Sequence, residues 1–191
     1  MRWHRWLGAH HPADAWPARK SVERRFQFEA TLPATPEQVF PLLCPIRERE
    51  WIEGWRAEAV HTASGYAEHG ALFRTRLELG ELWVTTRYEP SARVEYTIFA
   101  GRQAVVRLDL RLAANGDGTT HWRIDRTYTG IGWLGRRRVG ALSDARVQVE
   151  NERLWRQLDH FLRTGRMLHG AGRAPRGTRA ASGRSTAGTR A

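Results

Sequence analysis

A single cysteine, Cys44, rules out any disulfide within the chain. That suits a reducing compartment, and a cytoplasmic setting is expected. No stretch approaches the ~18 apolar residues that a membrane-spanning helix needs. Arg2 and Arg5 open the chain, but no apolar run of ~7–15 residues follows them, so a secretory signal is not expected. Lysine is nearly missing: Lys20 is the only one, and arginine carries the rest of the positive charge. With abundant Ala and Gly, this reads as codon bias rather than selection for phosphate contacts. Signatures of catalysis are missing too. There is no Gly-rich phosphate loop, no nucleophile elbow and no paired metal-ligand motif. His4, His10 and His11 lack partners at zinc-ligand spacing, and nothing sets His61, His69, His121 or His160 beside a second catalytic group. Cys44 precedes Pro45 and adjoins Leu42 and Leu43, the setting of a small buried residue rather than a nucleophile. No metal and no cofactor are expected.

What charge there is lies at the ends. The chain has 191 residues and a formal net charge of +11, which invites a nucleic-acid reading. Residues 1–21 hold four basic side chains against Asp14, and residues 166–191 hold six Arg and no acid. Between them, residues 22–165 hold 21 Arg against 19 Asp and Glu, so the folded part is nearly neutral. No specific nucleic-acid partner is expected. The tail after Gly165 is Gly, Ala, Arg, Ser and Thr, which cannot bury enough apolar area to offset ordering, and it is expected to be disordered. An acidic partner for this basic tail is the remaining use for it. Residues 1–21, rich in Trp, His, Pro and Ala, are read as a loosely ordered extension.

The middle is a domain of strands closed by a helix. Phe26, Phe28, Ala30 and Leu32 alternate with Arg25, Gln27 and Glu29, which predicts a half-buried strand over 22–32. Thr35-Pro36-Glu37 then starts a short helix: Thr35 can cap, Pro36 suits the first helical position, and Glu37 suits the positive end. Pro45 interrupts it, and a second short helix is expected to run to about Trp51. From Arg56 the period becomes two, with strands predicted at 56–63, 71–79, 82–89, 93–99, 105–114 and 119–128. Asn115-Gly116-Asp117-Gly118 is the strongest hairpin signal, because Asn and Gly tolerate the positive φ of tight turns. Residues 129–138 read as a Gly- and Arg-rich connection. A long helix follows from about Val139 or Ser143 to Arg163, with Val147, Leu154, Leu158 and Phe161 on one stripe and Gly165 as its stop.

One strand, two small helices, six strands with short turns and one long helix leave few ways to bury both apolar faces. The expected architecture is α+β: a curved antiparallel sheet of about seven strands wrapped around the C-terminal helix, with space between them that suits a small apolar ligand. This order is that of the helix-grip fold and resembles the START/birch-pollen-allergen/polyketide-cyclase superfamily, SRPBCC. The resemblance covers residues 22–165. Cys44 to Trp55, Trp83 with Arg87-Tyr88-Glu89-Pro90, and Asn115-Gly116-Asp117-Gly118-Thr119-Thr120 are similar to motifs of an uncharacterised bacterial branch, with Ile46 and Arg49 replacing its usual Val and Tyr. The resemblance implies a fold and a cavity for a small hydrophobic or aromatic molecule, lipid included. It supplies no reaction, since the superfamily spans carriers, receptors, cyclases and chaperone cofactors.

Candidate ligand-lining residues are Trp51, Trp55, Phe73, Trp83, Arg87, Trp122, Tyr128, Asn151 and Trp155. Trp51 and Trp55 flank Gly54 and could wall an entrance. Arg47, Glu48 and Glu50 are candidates for its charged rim, with Arg47 and Glu50 placed to pair at i, i+3. Trp83, Thr85 and Arg87 share one strand face, and with that face inward Arg87 is a buried cation needing an acid such as Glu95, or an anionic ligand. Three functions follow: a carrier or sensor; a cyclase- or dehydratase-like enzyme in which Arg87 or Tyr128 polarises a carbonyl; or a protein-interaction module with a filled core and no ligand.

Overall fold

The computed structural model describes residues 21–75 and 80–170. The expected extension before residue 21, most of the basic tail, and Leu77 and Leu79 of the 71–79 strand lie outside these residues. Seven strands form one antiparallel sheet: β1 (Val22–Leu32), β2 (Ala57–His61), β3 (Leu72–Thr75), β4 (Glu81–Glu89), β5 (Arg93–Ala100), β6 (Ala104–Ala114) and β7 (Thr120–Gly130), in the order β1-β7-β6-β5-β4-β3-β2. Each strand from β2 to β7 pairs with its sequence neighbour, which short turns favour. β1 closes on β7, pairing Val22 with Gly130 and Leu32 with Thr120. Asn115 N–H donates to Thr119 O at 3.0 Å and closes the β6–β7 hairpin at the predicted turn.

The alternation decides which face is dry. Val106, Leu108, Leu110 and Leu112 are buried, with Phe28, Leu32, Phe73, Trp83, Ile98, Trp122 and Ile124 in the same cluster. On the other face Asp109 stands between Arg93 and Arg111, which donate to it at 2.7–3.1 Å. Burial pushes that carboxylate up, and the two guanidinium groups outweigh it and hold it below the usual range.

Helix α1 (Pro36–Val39) starts at the predicted cap Thr35, and a capping box adds Thr35 N–H donating to Gln38 Oε1 at 3.1 Å. Two 3-10 turns follow, Phe40–Leu43 and Glu48–Glu50. The long helix α3 (Asp144–Thr164) starts at Ser143, whose hydroxyl accepts from Arg146 N–H, and stops at Gly165 with φ 67°. Leu154, Trp155, Leu158, Phe161 and Leu162 pack it onto the core, and Trp155 Nε1 donates to Thr31 O at 3.0 Å.

The connection expected at 129–138 is instead largely a helix, α2 (Gly132–Gly140). Three glycines depress its propensity, but packing decides the outcome. Gly135 presses on the β5–β6 turn so closely that a Cβ there would lie 1.8 Å from Gln103 O. Ile131 N–H donates to the same carbonyl at 2.7 Å.

Candidate functional site

A cavity of about 370 Å³ lies between the sheet and α3. Its apolar walls are Leu43, Ile52, Ile98, Val106, Leu108, Leu110, Ile124 and Leu154, with Trp51, Trp55, Trp83, Trp122 and Tyr128. Its charged groups are Glu48 and Glu53 from the loop after α1, Glu81 from β4, Arg126 from β7, and Glu150 and Arg153 from α3.

The Trp51 and Trp55 wall is built by main-chain anchoring. Trp51 is 2% exposed and donates from Nε1 to Leu42 O at 2.9 Å. Trp55 donates to Pro45 O at 2.8 Å and meets Trp83 edge-on, ring centroids 5.8 Å apart. Trp83 in turn donates to Glu81 Oε2 at 3.1 Å. Three of the cavity's four indoles therefore have their N–H satisfied. Trp122 Nε1 is buried and has no partner among the described residues.

Glu48 corrects the expected rim. Arg47 and Glu50 do form an outward pair, Nε to Oε1 and the second guanidinium nitrogen to Oε2, both at 2.8 Å. In the same turn Trp51 N–H reaches Glu48 O, and so does Ile52 N–H at 2.8 Å. Glu48 therefore shares a face with Trp51 and Ile52 and points inward, 7% exposed. Its side chain makes no hydrogen bond among the described residues, and Oε2 is sealed from solvent. Burial pushes its pKa up to about 8, with the charge of Arg126 pulling the other way. At neutral pH it is a neutral carboxylic acid that can donate a proton or a hydrogen bond.

Arg126 escaped the sequence reading although it alternates inward with Trp122, Ile124 and Tyr128. Its side chain is 11% exposed and makes no hydrogen bond among the described residues. Its one ionic contact is Glu150 Oε1 at 3.9 Å, beyond hydrogen-bond range.

Arg87 takes the opposite course. The β4–β5 ladder shifts register between Thr85 and Arg87, so the two no longer share a face. Thr85 is buried, while the Arg87 side chain is 47% exposed and pairs with Glu89 at 3.3 Å. Glu95 is taken instead by Thr86 Oγ1 at 2.9 Å and by Arg93 at 3.6 Å. Arg87 is thus neither a buried cation nor a group that could polarise a bound carbonyl. Phe73 is fully buried in the core, away from the cavity lining. Asn151 is 1% exposed, with Oδ1 unpartnered, but it faces β1 near Phe26 and Gln27. Trp155 is tied to Thr31 and lies outside the lining as well. Cys44 is 5% exposed, accepts from Ala67 N–H at 3.2 Å and has its thiol pKa raised by burial.

No family model matches the chain, and no curated protein matches it by sequence. Solved structures do. An uncharacterised protein from Rhizobium leguminosarum is 15% identical with a TM-score of 0.54, covering 75% of this chain and 97% of its own. Ara h 8.0201, 17% identical, gives a TM-score of 0.54 over 73% and 97% of the two chains. SA2116 of Staphylococcus aureus, a protein of unknown function, is 13% identical with a TM-score of 0.59 over 76% and 97%. This chain has the helix-grip fold. At these identities the helix-grip likeness is one of fold. Among the described residues no helix is long and apolar enough to cross a membrane.

Proposed function

We propose that this chain binds a small hydrophobic or aromatic molecule between its sheet and α3, as a carrier or sensor in the cytoplasm. The supporting observation is the cavity of about 370 Å³ walled by four tryptophans, one tyrosine and aliphatic side chains. A filled core, the expectation of a pure interaction module, would leave no such space. A ligand hiding about 300 Å² of apolar area gains about 7 kcal/mol at ~25 cal/mol per Å². Association costs reduce this, and a roughly micromolar to millimolar affinity is expected.

Native mass spectrometry of the protein purified from its own host, beside a denatured control, tests the reading. A small molecule released on denaturation supports it. No adduct, together with Trp fluorescence unmoved by apolar and aromatic probes, refutes it. Deleting residues 171–191, which keeps the His169 and Gly170 contacts to Glu53, should leave ligand binding unchanged; that basic segment is where an acidic partner would be expected to bind.

One observation favours a cyclase- or dehydratase-like enzyme as the second reading. Glu48, Arg126 and Tyr128 line the same apolar space, and a carboxylic acid protonated at neutral pH is a competent general acid. A carrier returns its co-purified molecule unchanged after prolonged incubation, whereas an enzyme returns a product of different mass or connectivity.

A further inference from the structure

We propose that the occupant of the cavity is an organic anion, an aromatic or alicyclic body bearing a carboxylate that Arg126 receives. This rests on the ligand-binding reading above and narrows it.

The unspent hydrogen-bonding capacity of the lining points one way. Trp51, Trp55 and Trp83 have given their indole N–H groups to Leu42 O, Pro45 O and Glu81 Oε2. Trp122, from the strand that carries Arg126, has not among the described residues, although its Nε1 is sealed from solvent. Arg126 is a guanidinium, charged at any working pH, held almost out of solvent with one distant ionic contact. Burying such a charge without close partners is costly, and a carboxylate offers the two oxygens its planar fork accepts.

The acids around the cavity leave this demand standing. Glu81 already accepts from Trp83 Nε1 and from Thr75 Oγ1. Glu53 is turned to Gly170 N–H at 2.9 Å and the His169 ring at 3.2 Å. Glu150 is half exposed and stops 3.9 Å short of Arg126. Glu48 lies within the field of Arg126 but forms no ion pair with it among the described residues. Protonated, it adds a donor rather than a competing negative charge. The four aromatic walls would also suit a cationic amine. Arg126 decides against one, because a second cation would meet it in a low-dielectric space.

The test is isothermal titration calorimetry of the full chain with 2-naphthoate and with 2-naphthylmethanol, its uncharged counterpart. The wild type is expected to bind the naphthoate about tenfold or more tightly than the alcohol, the size of a hydrogen bond to a charged group. Arg126→Gln should remove that preference and leave the alcohol within about twofold of wild type, as expected for an otherwise intact site. Arg156→Gln, at an exposed arginine paired with Glu152, should change neither affinity and so controls for the protein's general basicity. Equal binding of both probes by the wild type overturns the anion and spares the cavity. Binding of neither overturns the ligand-binding reading and this proposal with it. A naphthoate preference that survives in folded Arg126→Gln overturns the assignment to Arg126. Should that variant fail to fold by circular dichroism, Arg126→Met carries the comparison. A several-fold loss for naphthoate alone is then expected, and an unchanged ratio of the two affinities overturns the proposal.

Discussion

Glu48→Gln should make the protein's stability less sensitive to pH in the neutral range. Glu48 is 7% exposed, its Oε2 has no partner, and its pKa stands near 8 against an ordinary 4.5. Between those two values the unfolded chain has released the proton and the folded chain has kept it. Raising the pH across that window therefore favours the unfolded state, by about 1.4 kcal/mol per pH unit. Above pH 8 the accumulated cost reaches about 5 kcal/mol, a large part of a domain's whole stability. Glutamine has nearly the same shape and no such titration. It leaves a buried amide without a partner, a cost of about 1–3 kcal/mol that does not vary with pH. Urea unfolding followed by Trp fluorescence at pH 5.5 and pH 7.5 separates these effects, because every other titrating group cancels between wild type and variant. The gap should move by about 3 kcal/mol in favour of glutamine across the two pH values. Stabilities that track in parallel would show that Glu48 already shares its proton with a partner or with solvent, and the reasoning would fail.

Four further substitutions probe how the site and its frame are held. Arg87→Ala should change stability by no more than about 0.5 kcal/mol in urea melts, since its ion pair with Glu89 is exposed. Trp83→Ala, two positions inward of the register shift, should cost about 3–5 kcal/mol in the same assay. Tyr96→Phe removes the buried bond from its hydroxyl to Leu43 O at 3.0 Å, and a loss of about 1–3 kcal/mol by denaturant unfolding is expected. Gly135→Ala places a methyl 1.8 Å from a backbone oxygen that must move, and calorimetry should show a destabilisation of about 1–3 kcal/mol.

Most of the framework was legible because alternation and turn chemistry are local. Val106 to Leu112 and Phe26 to Leu32 declare their dry faces in sequence, and the Asn115–Gly118 turn declares its hairpin. What failed depended on partners distant in the chain. Helix α2 owes its place to Gly135 sitting on Gln103, a contact no window of 129–138 contains. The bulge in β4 turned Arg87 outward, and strict period two cannot register an inserted residue. Glu48 falls within the run Arg47–Glu50, which reads as a charged rim of the entrance. Its i, i+3 and i, i+4 relation to Trp51 and Ile52 was the signal that could have placed it inside. Arg126 has a comparable signal, an inward phase shared with Trp122 and Ile124.

The two missed residues carry the argument about the site. Glu48 is buried and the Arg126 side chain is 11% exposed; both are chargeable, and they are not bonded to each other within 4.0 Å among the described residues. A pair kept for stability would be closed, with its lone pairs and protons satisfied, and even then apolar residues of the same volume would often serve as well or better. An open pair lacks that offset: a neutral acid, a charged fork and an unbonded indole N–H line one apolar space. Such an arrangement costs the folded state, and the anionic ligand proposed above would offset part of that cost at Arg126. The shape of the fold provides the container, and these three groups give it a polarity that an apolar molecule alone would not satisfy.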